Sequence, residues 1–388
     1  MKRSLIALAF GTFALGIAEF GMMGILGEVA TGIDVDIVKA GHLIAAYSLG
    51  VAIGAPLLIL LRKMPLKKVM LLLAATIFLG NLGAALSPNF VTLLCARLLS
   101  GLPHGAYFGA GAIVCSRLAD KEHGAQAVAV MVGGMTIANV FGVPLATWIT
   151  DTFNWRIAFG GISLFGLLAF LFIKIWIPYL QPLPDTGLKG QFRFLRAPAP
   201  WLIYAGVFFG QASVYCWFSY INPVMTEVTH FSTADMTWIM MLAGAGMVIG
   251  NAVAGKLADR YQASLVTGCI AASLIVIMPL IYICATMKLP SLLLMFLATG
   301  GLFGIGGPLQ YLIVKYAKGG EMLGGAGIQI AFNVSNAMSA SLGGVVIQHG
   351  LGLASPALVG IPFAAIGATA LFILYRLTNR PSAARKTS

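Results

Sequence analysis

Residues 5–27 read LIALAFGTFALGIAEFGMMGILG, an apolar run that carries a single charge, Glu19. Crossing about 30 Å of hydrocarbon as a helix takes roughly 20 such residues. A helix also pairs its own backbone polar groups, which lipid cannot do. Eleven more runs follow, near residues 40–61, 69–87, 91–116, 126–149, 157–177, 201–221, 236–257, 265–287, 291–314, 324–347 and 357–376. The 388 residues are 59% hydrophobic and only 9% charged, whereas a soluble domain carries roughly 25% charged residues to hold its surface in water. A mean hydropathy of +0.92 points the same way. A cytosolic enzyme, a secreted disulfide scaffold and a disordered tail are excluded, and the expected fold class is all-α integral membrane with twelve spans. Lys2 and Arg3 precede the first run as in a signal peptide, but the run is too long and lacks an A-x-A cleavage site. It is expected to stay as the first helix.

The net charge of +12 sits in short loops and therefore speaks for membrane orientation rather than nucleic acid. With a cytoplasmic amino terminus, one side collects Lys2, Arg3, Arg62, Lys63, Lys67, Lys68, Arg117, Lys121, Lys174, Lys189, Arg193, Arg196, Lys256, Arg260, Lys315, Lys318, Arg376, Arg380, Arg385 and Lys386. Lys39, Arg156 and Lys288 fall on the other, and Arg97 stays in the bilayer. Both termini are expected in the cytoplasm of an inner-membrane protein. Cys95, Cys115, Cys216, Cys269 and Cys284 all fall within spans without a C-x-x-C pair, so reduced, packed thiols are expected and no metal site.

The longest hydrophilic stretch, Pro178 to Pro200, holds Lys189, Arg193, Arg196 and five prolines. It is expected to be a cytoplasmic linker, 178–200, between an amino-terminal six-helix bundle, 1–177, and a carboxy-terminal one, 201–388. The halves echo each other: Gly50-Val51-Ala52-Ile53-Gly54 recurs as Gly246-Met247-Val248-Ile249-Gly250, 196 residues on in a chain of 388. A parallel duplication follows.

This plan resembles the major facilitator superfamily, whose fold is two pseudo-symmetric bundles of six helices. The family's loop motif G-x-x-x-D-R-x-G-R-R is matched in its first half by Gly255-Lys256-Leu257-Ala258-Asp259-Arg260. In the first half of the chain Lys63 stands in the Asp position, with Lys67 and Lys68 as the basic tail. Arg97, Gly101 and Gly105 resemble the family's fourth-helix motif, and Gly142-Val143-Pro144 resembles its exporter motif with a valine inserted. Ala18-Glu19-Phe20-Gly21, Pro103-His104-Gly105-Ala106 and Ala199-Pro200-Trp201-Leu202 are similar to the drug:proton antiporter subfamily. The resemblance implies alternating access, a monomer, and conformational roles for Gly142, Pro144, Gly255, Asp259 and Arg260.

Glu19 and Arg97 are the only charges deep within spans. Each costs roughly 2.5 to 3.5 kcal/mol at a helix centre, so such residues face a cavity or one another. The resemblance places both on the central cavity, where a Glu19 to Arg97 interaction would tune proton uptake. The alternatives are a permanent structural ion pair or a Glu19 that snorkels to an interface. His104, seven residues beyond Arg97, shares its helix face; it relays a proton, binds a polar substrate, or is hydrogen-bonded at the Pro103 break. Gln329, Asn333, Asn336 and Ser339 recur at helical spacing, as do Gln211, Tyr215, Phe218 and Asn222. These faces line a wet cavity or glue helices together, and in the resembling fold they are expected at the substrate site, with Tyr47, Asn139 and Gln310 as further candidates.

The chain has no G-x-x-x-x-G-K-[ST] loop, no H-E-x-x-H and no G-x-S-x-G, so neither enzyme chemistry nor a cofactor is expected and a gradient must supply the energy. The expected function is export of a sugar, polyol or amphipathic drug-like molecule by proton antiport. An uncoupled facilitator or importer is the alternative, and a membrane sensor or intramembrane enzyme the distant one.

Overall fold

The computed structural model describes residues 2–379 apart from 36, 121 and 186; of the basic residues above, Lys121, Arg380, Arg385 and Lys386 lie outside the described residues. Among the described residues, twelve helices are long and apolar enough to cross a membrane: α1 Lys2–Gly24, α2 Lys39–Leu61, α3 Leu66–Ala85, α4 Phe90–Leu118, α5 Gly124–Thr152, α6 Trp155–Trp176, α7 Pro198–Phe218, α8 Met236–Tyr261, α9 Ala263–Ile283, α10 Lys288–Tyr316, α11 Glu321–Gln348 and α12 Pro356–Thr378. They correspond one for one to the apolar runs. Their ends differ by a few residues because caps, rather than hydropathy, set them. Asn89 starts α4 with a capping box, accepting from Thr92 N at 3.0 Å, and Asn154 starts α6 by accepting from Arg156 N at 2.8 Å. The seventh span opens on Pro198, inside the stretch assigned above to the linker; proline suits a first turn, where its missing N–H has no partner to lose.

Helices α1–α6 pack as one bundle and α7–α12 as the other, with α3 lying on α6 and α9 on α12 in matching positions. The glycine echo has a direct packing cause. A methyl group on Gly50 or Gly54 of α2 would strike the carbonyls of Leu98 and Leu102 of α4. One on Gly246 or Gly250 of α8 would strike those of Phe296 and Gly300 of α10. Both copies of the small-x-x-x-small face thus bring a helix backbone against a neighbour's backbone. Gly54→Val and Gly250→Val are each expected to cost about 1–3 kcal/mol by overpacking, read as a drop in thermal midpoint of the purified protein.

Two proline positions shape the spans. Pro103 interrupts α4 just after Leu102. In α5 a π-turn over Ala138–Gly142 leads directly into Val143 and Pro144.

The start of α1 and the end of α6 meet where Ser4 Oγ donates to Trp176 O at 2.8 Å; with six spans in each bundle, the end of α12 falls on the same side as the linker, here the terminal side. The linker is tied down at several points there. Leu66 N donates to Leu180 O at 3.2 Å, and Arg117 Nη1 to Gln181 O at 2.6 Å. Asp185, the linker's only carboxylate, accepts from Arg62 Nε at 2.9 Å and lies 3.5 Å from Lys63 Nζ. The amide of Gly187 and the two cations hold its pKa below the usual aspartate value. A lowered pKa means that the tether is intact above the ordinary value and weakens as pH falls through the lowered one. Limited proteolysis of the linker is therefore expected to be constant from pH 5 to 8 and to accelerate in Asp185→Asn, most visibly at low salt.

Candidate functional site

The middle of the amino-terminal bundle brings Glu19 of α1, Tyr47 of α2, and Arg97 and His104 of α4 into one buried cluster. Glu19 is 7% exposed, and Arg97 and His104 are fully buried. The Glu19 carboxylate does not pair with Arg97. Its Oε2 lies 3.7 Å from His104 Nε2. The guanidinium is engaged elsewhere: Nη1 donates to Ala18 O at 2.8 Å and Nε to Leu43 O at 3.3 Å. It also lies 4.5 Å from the centre of the Tyr47 ring and 5.8 Å from that of Phe159. Arg97 therefore joins α1, α2, α4 and α6, and its charge reaches Glu19 through space rather than by contact. The expected interaction is corrected in that respect. The carbonyl next to Glu19 is a nearer acceptor than the side chain of Glu19 itself.

His104 links the acid to the rest of the cluster. Its Nδ1 is 2.8 Å from the Tyr47 hydroxyl, and its ring stacks on Phe108 at 5.3 Å between centres. When the Tyr47 hydroxyl donates to Nδ1, the neutral ring carries its proton on Nε2, toward Glu19. Tyr47 can instead donate to Leu15 O at 3.4 Å, which frees Nδ1 to carry the proton. Glu19 Oε2, His104 Nε2 and Arg97 Nη2 are all buried without a hydrogen-bond partner, an unusual concentration for buried polar atoms. A cluster with these open valences can take up and hand over a proton or bind a hydroxyl.

The carboxy-terminal bundle meets this cluster with Gln329 of α11, which faces His104, and with Tyr215 of α7, close enough for the charge of Glu19 to act on its hydroxyl. Tyr215 is walled by Phe218 at 6.4 Å and Phe332 at 5.6 Å between ring centres. Asn139 and Asn333 each donate within their own helix, to Met135 O at 3.1 Å and to Gln329 O at 2.9 Å, while half-buried Asn336 accepts from Ser339 Oγ at its backbone carbonyl and not at its side-chain amide. Gln211 donates to Leu302 O of α10 at 3.4 Å. Gln310 spans the two bundles, donating to Phe108 O at 3.3 Å and to Gly325 O at 3.0 Å, so its amide acts as a staple.

The bundles are held together near the terminal side. Asp259 accepts from the amides of Ala125 at 2.8 Å and Gln126 at 2.9 Å, capping the start of α5 from the other bundle. An ionised carboxylate there meets both the free N–H groups and the positive end of the helix dipole. Asn251 donates to Ala129 O at 2.7 Å one turn further in, and Gly255 lies against Ala129. Arg260 is exposed and stacks on Tyr261 at 5.0 Å. Gly142 receives Ile17 of α1 at the end of the π-turn, ahead of Pro144. Beyond that point α5 packs on α1 and α6 of its own bundle. The terminal side is thus bridged by hydrogen bonds between bundles.

Sequence reasoning missed Phe108 as the ring beneath His104 and Asp185 as the partner of Arg62 and Lys63. The second had a signal: a lysine in an aspartate position calls for a carboxylate from elsewhere, and the linker holds just one.

Twelve spans in two matching bundles around a buried acid define a membrane transporter. Residues 8–327 match the Major Facilitator Superfamily, and the chain belongs to that family. It is 42% identical over 380 residues to "Putative transporter AraJ" of Escherichia coli (strain K12), covering 97% of this chain and 96% of the relative. It is 26% identical over 375 residues to "Probable sugar efflux transporter" of Helicobacter pylori (strain ATCC 700392 / 26695), covering 95% and 94% of the two chains. The solved structure of FucP in the outward conformation superposes with a TM-score of 0.76 at 17% identity, covering 97% of this chain and 99% of FucP, a likeness of fold.

Proposed function

We propose that the chain exports a sugar, a polyol or a related amphipathic molecule across a bacterial inner membrane in exchange for protons. The observation that carries this reading is the carboxylate of Glu19: buried, not paired with Arg97, and 3.7 Å from an imidazole nitrogen of His104. The asymmetry of Lys and Arg places the terminal side in the cytoplasm. The hydrogen bonds of Asp259, Asn251 and Gln310 then close the cytoplasmic side, so the proton reaches Glu19 from outside. Rocking of the bundles exposes the acid to the cytoplasm, where it releases the proton as the polar faces of α7 and α11 take substrate. Hydroxyl and amide groups of Tyr215, Gln329, Asn333 and Asn336 beside aromatic rings suit a polyhydroxyl molecule, in keeping with the name of the relative from Helicobacter pylori.

Everted vesicles loaded with a pH-sensitive dye test the reading: adding substrate is expected to drive proton movement across the membrane. Saturable counterflow with no pH change would mark an uncoupled facilitator instead.

The closed state depends on Asp259. Asp259→Asn loses the charge at the helix terminus and one of two acceptors, about 1–2 kcal/mol, so the ratio of closed to open cytoplasmic sides is expected to fall roughly tenfold. Distances between spin labels on the cytoplasmic ends of α5 and α8 report it; an unchanged distribution would remove Asp259 from the gate.

A further inference from the structure

The terminal side carries a second cavity, of about 690 Å³, that the transport cycle does not use. It is lined by Gly190, Arg193 and Phe194 from the linker and by Lys315, Tyr316 and Lys318 from the end of α10 and the turn after it, with Gly319 at its edge. Its size is typical of small-molecule pockets, roughly 300–1,000 Å³. Its charge is not typical. Three cations from segments more than 100 residues apart converge on it, and neither 187–196 nor 315–320 contains a carboxylate. None of the three forms an ion pair among the described residues. The nearest acids in sequence are Asp185, paired with Arg62 and Lys63, and Glu321, which accepts from the amide of Gly319 at 2.9 Å and sets one carboxylate beside the three cations.

The cavity is also built rather than incidental. Phe194 is buried against Gly320 and Gly324 at the start of α11 and fixes the linker beside the α10–α11 turn. Just beyond it, Trp201 donates its indole N–H to Leu195 O at 2.7 Å and otherwise stays exposed. An exposed tryptophan in the first turn of a span marks the headgroup level of a bilayer. A basic pocket where the linker meets the end of a transmembrane helix has the chemistry for an acidic lipid headgroup.

We infer that Arg193, Lys315 and Lys318 bind the phosphate of an anionic phospholipid, which clamps the linker onto the carboxy-terminal bundle. The inference is independent of the transported substrate. The test uses the purified full-length protein in nanodiscs of phosphatidylcholine, with phosphatidylglycerol titrated in and both thermal midpoint and retained lipid measured. Phosphatidylglycerol is expected to raise the midpoint and to co-purify at a defined stoichiometry. In Arg193→Ala/Lys315→Ala/Lys318→Ala its apparent affinity is expected to fall about a hundredfold, in line with the contribution of several basic residues at an anionic surface. All three side chains are exposed, and the midpoint in pure phosphatidylcholine shows whether the fold is kept. Lys2→Ala/Arg3→Ala/Lys68→Ala removes equal charge from the same side and is expected to bind as the wild type does. An equal loss in that control would overturn the site in favour of diffuse attraction. Stabilisation by inorganic phosphate with no response to the lipid would overturn the lipid as its ligand.

Discussion

Glu19→Gln is expected to abolish substrate-driven proton movement while saturable substrate exchange persists. Glutamine keeps the shape of the side chain and an oxygen toward His104 Nε2, which now lies 3.7 Å from the carboxylate. It cannot release a proton. Coupled flux should fall on the order of 100-fold, the scale at which a positioned proton-transfer group acts, and counterflow in liposomes at equal pH should fall far less. Glu19→Asp retains the acid but draws it back from the imidazole, so part of the coupling is expected to survive. The dye assay in everted vesicles separates the three proteins. Proton movement that continues unchanged in Glu19→Gln would end the case for Glu19 as the coupling group, while leaving the family and fold as they are.

The architecture was legible in the sequence because lipid enforces it. Each of the twelve runs had to be a helix once it was long and uncharged enough, and the runs at 91–116 and 126–149 remained single spans despite Pro103 and Pro144. The glycine echo was legible for a similar reason: only glycine lets α2 reach the backbone of α4, and α8 that of α10. The pairings inside the site were less legible. Glu19 and Arg97 are the only charges that the sequence sets deep within spans, so an interaction between them that tunes proton uptake is the expectation. Spacing along a helix cannot show that the carbonyls of Ala18 and Leu43 lie within reach of the guanidinium. Gln310 and Gln211 read as cavity-lining amides, yet both donate to backbone carbonyls of neighbouring helices. A polar side chain in a membrane helix has two ways of being satisfied, by water or by a neighbour, and one sequence does not distinguish them.

Arg97 is expected to be the residue whose loss most damages the fold, and through structure rather than coupling. Its donors satisfy one buried carbonyl on α1 and one on α2, while its plane rests between the rings of Tyr47 and Phe159. Two hydrogen bonds from a charged group at about 1.5–3 kcal/mol each put the cost of Arg97→Met near 3–6 kcal/mol, before any cavity is counted. Arg97→Lys should recover only part, because an ammonium is a point donor that cannot span two carbonyls in a plane or stack as a guanidinium does. Thermal midpoints of purified protein measure both, with Glu19→Gln expected to shift the midpoint far less. The double variant Glu19→Gln/Arg97→Met then weighs the two charges against each other. Both sit in one buried cluster and act on each other through space, so the double loss is expected to fall short of the sum of the two by about 0.5–3 kcal/mol. A double variant as stable as the wild type would instead mean that each charge is held in place by the other, and that the cluster is a structural ion pair whose proton does not move.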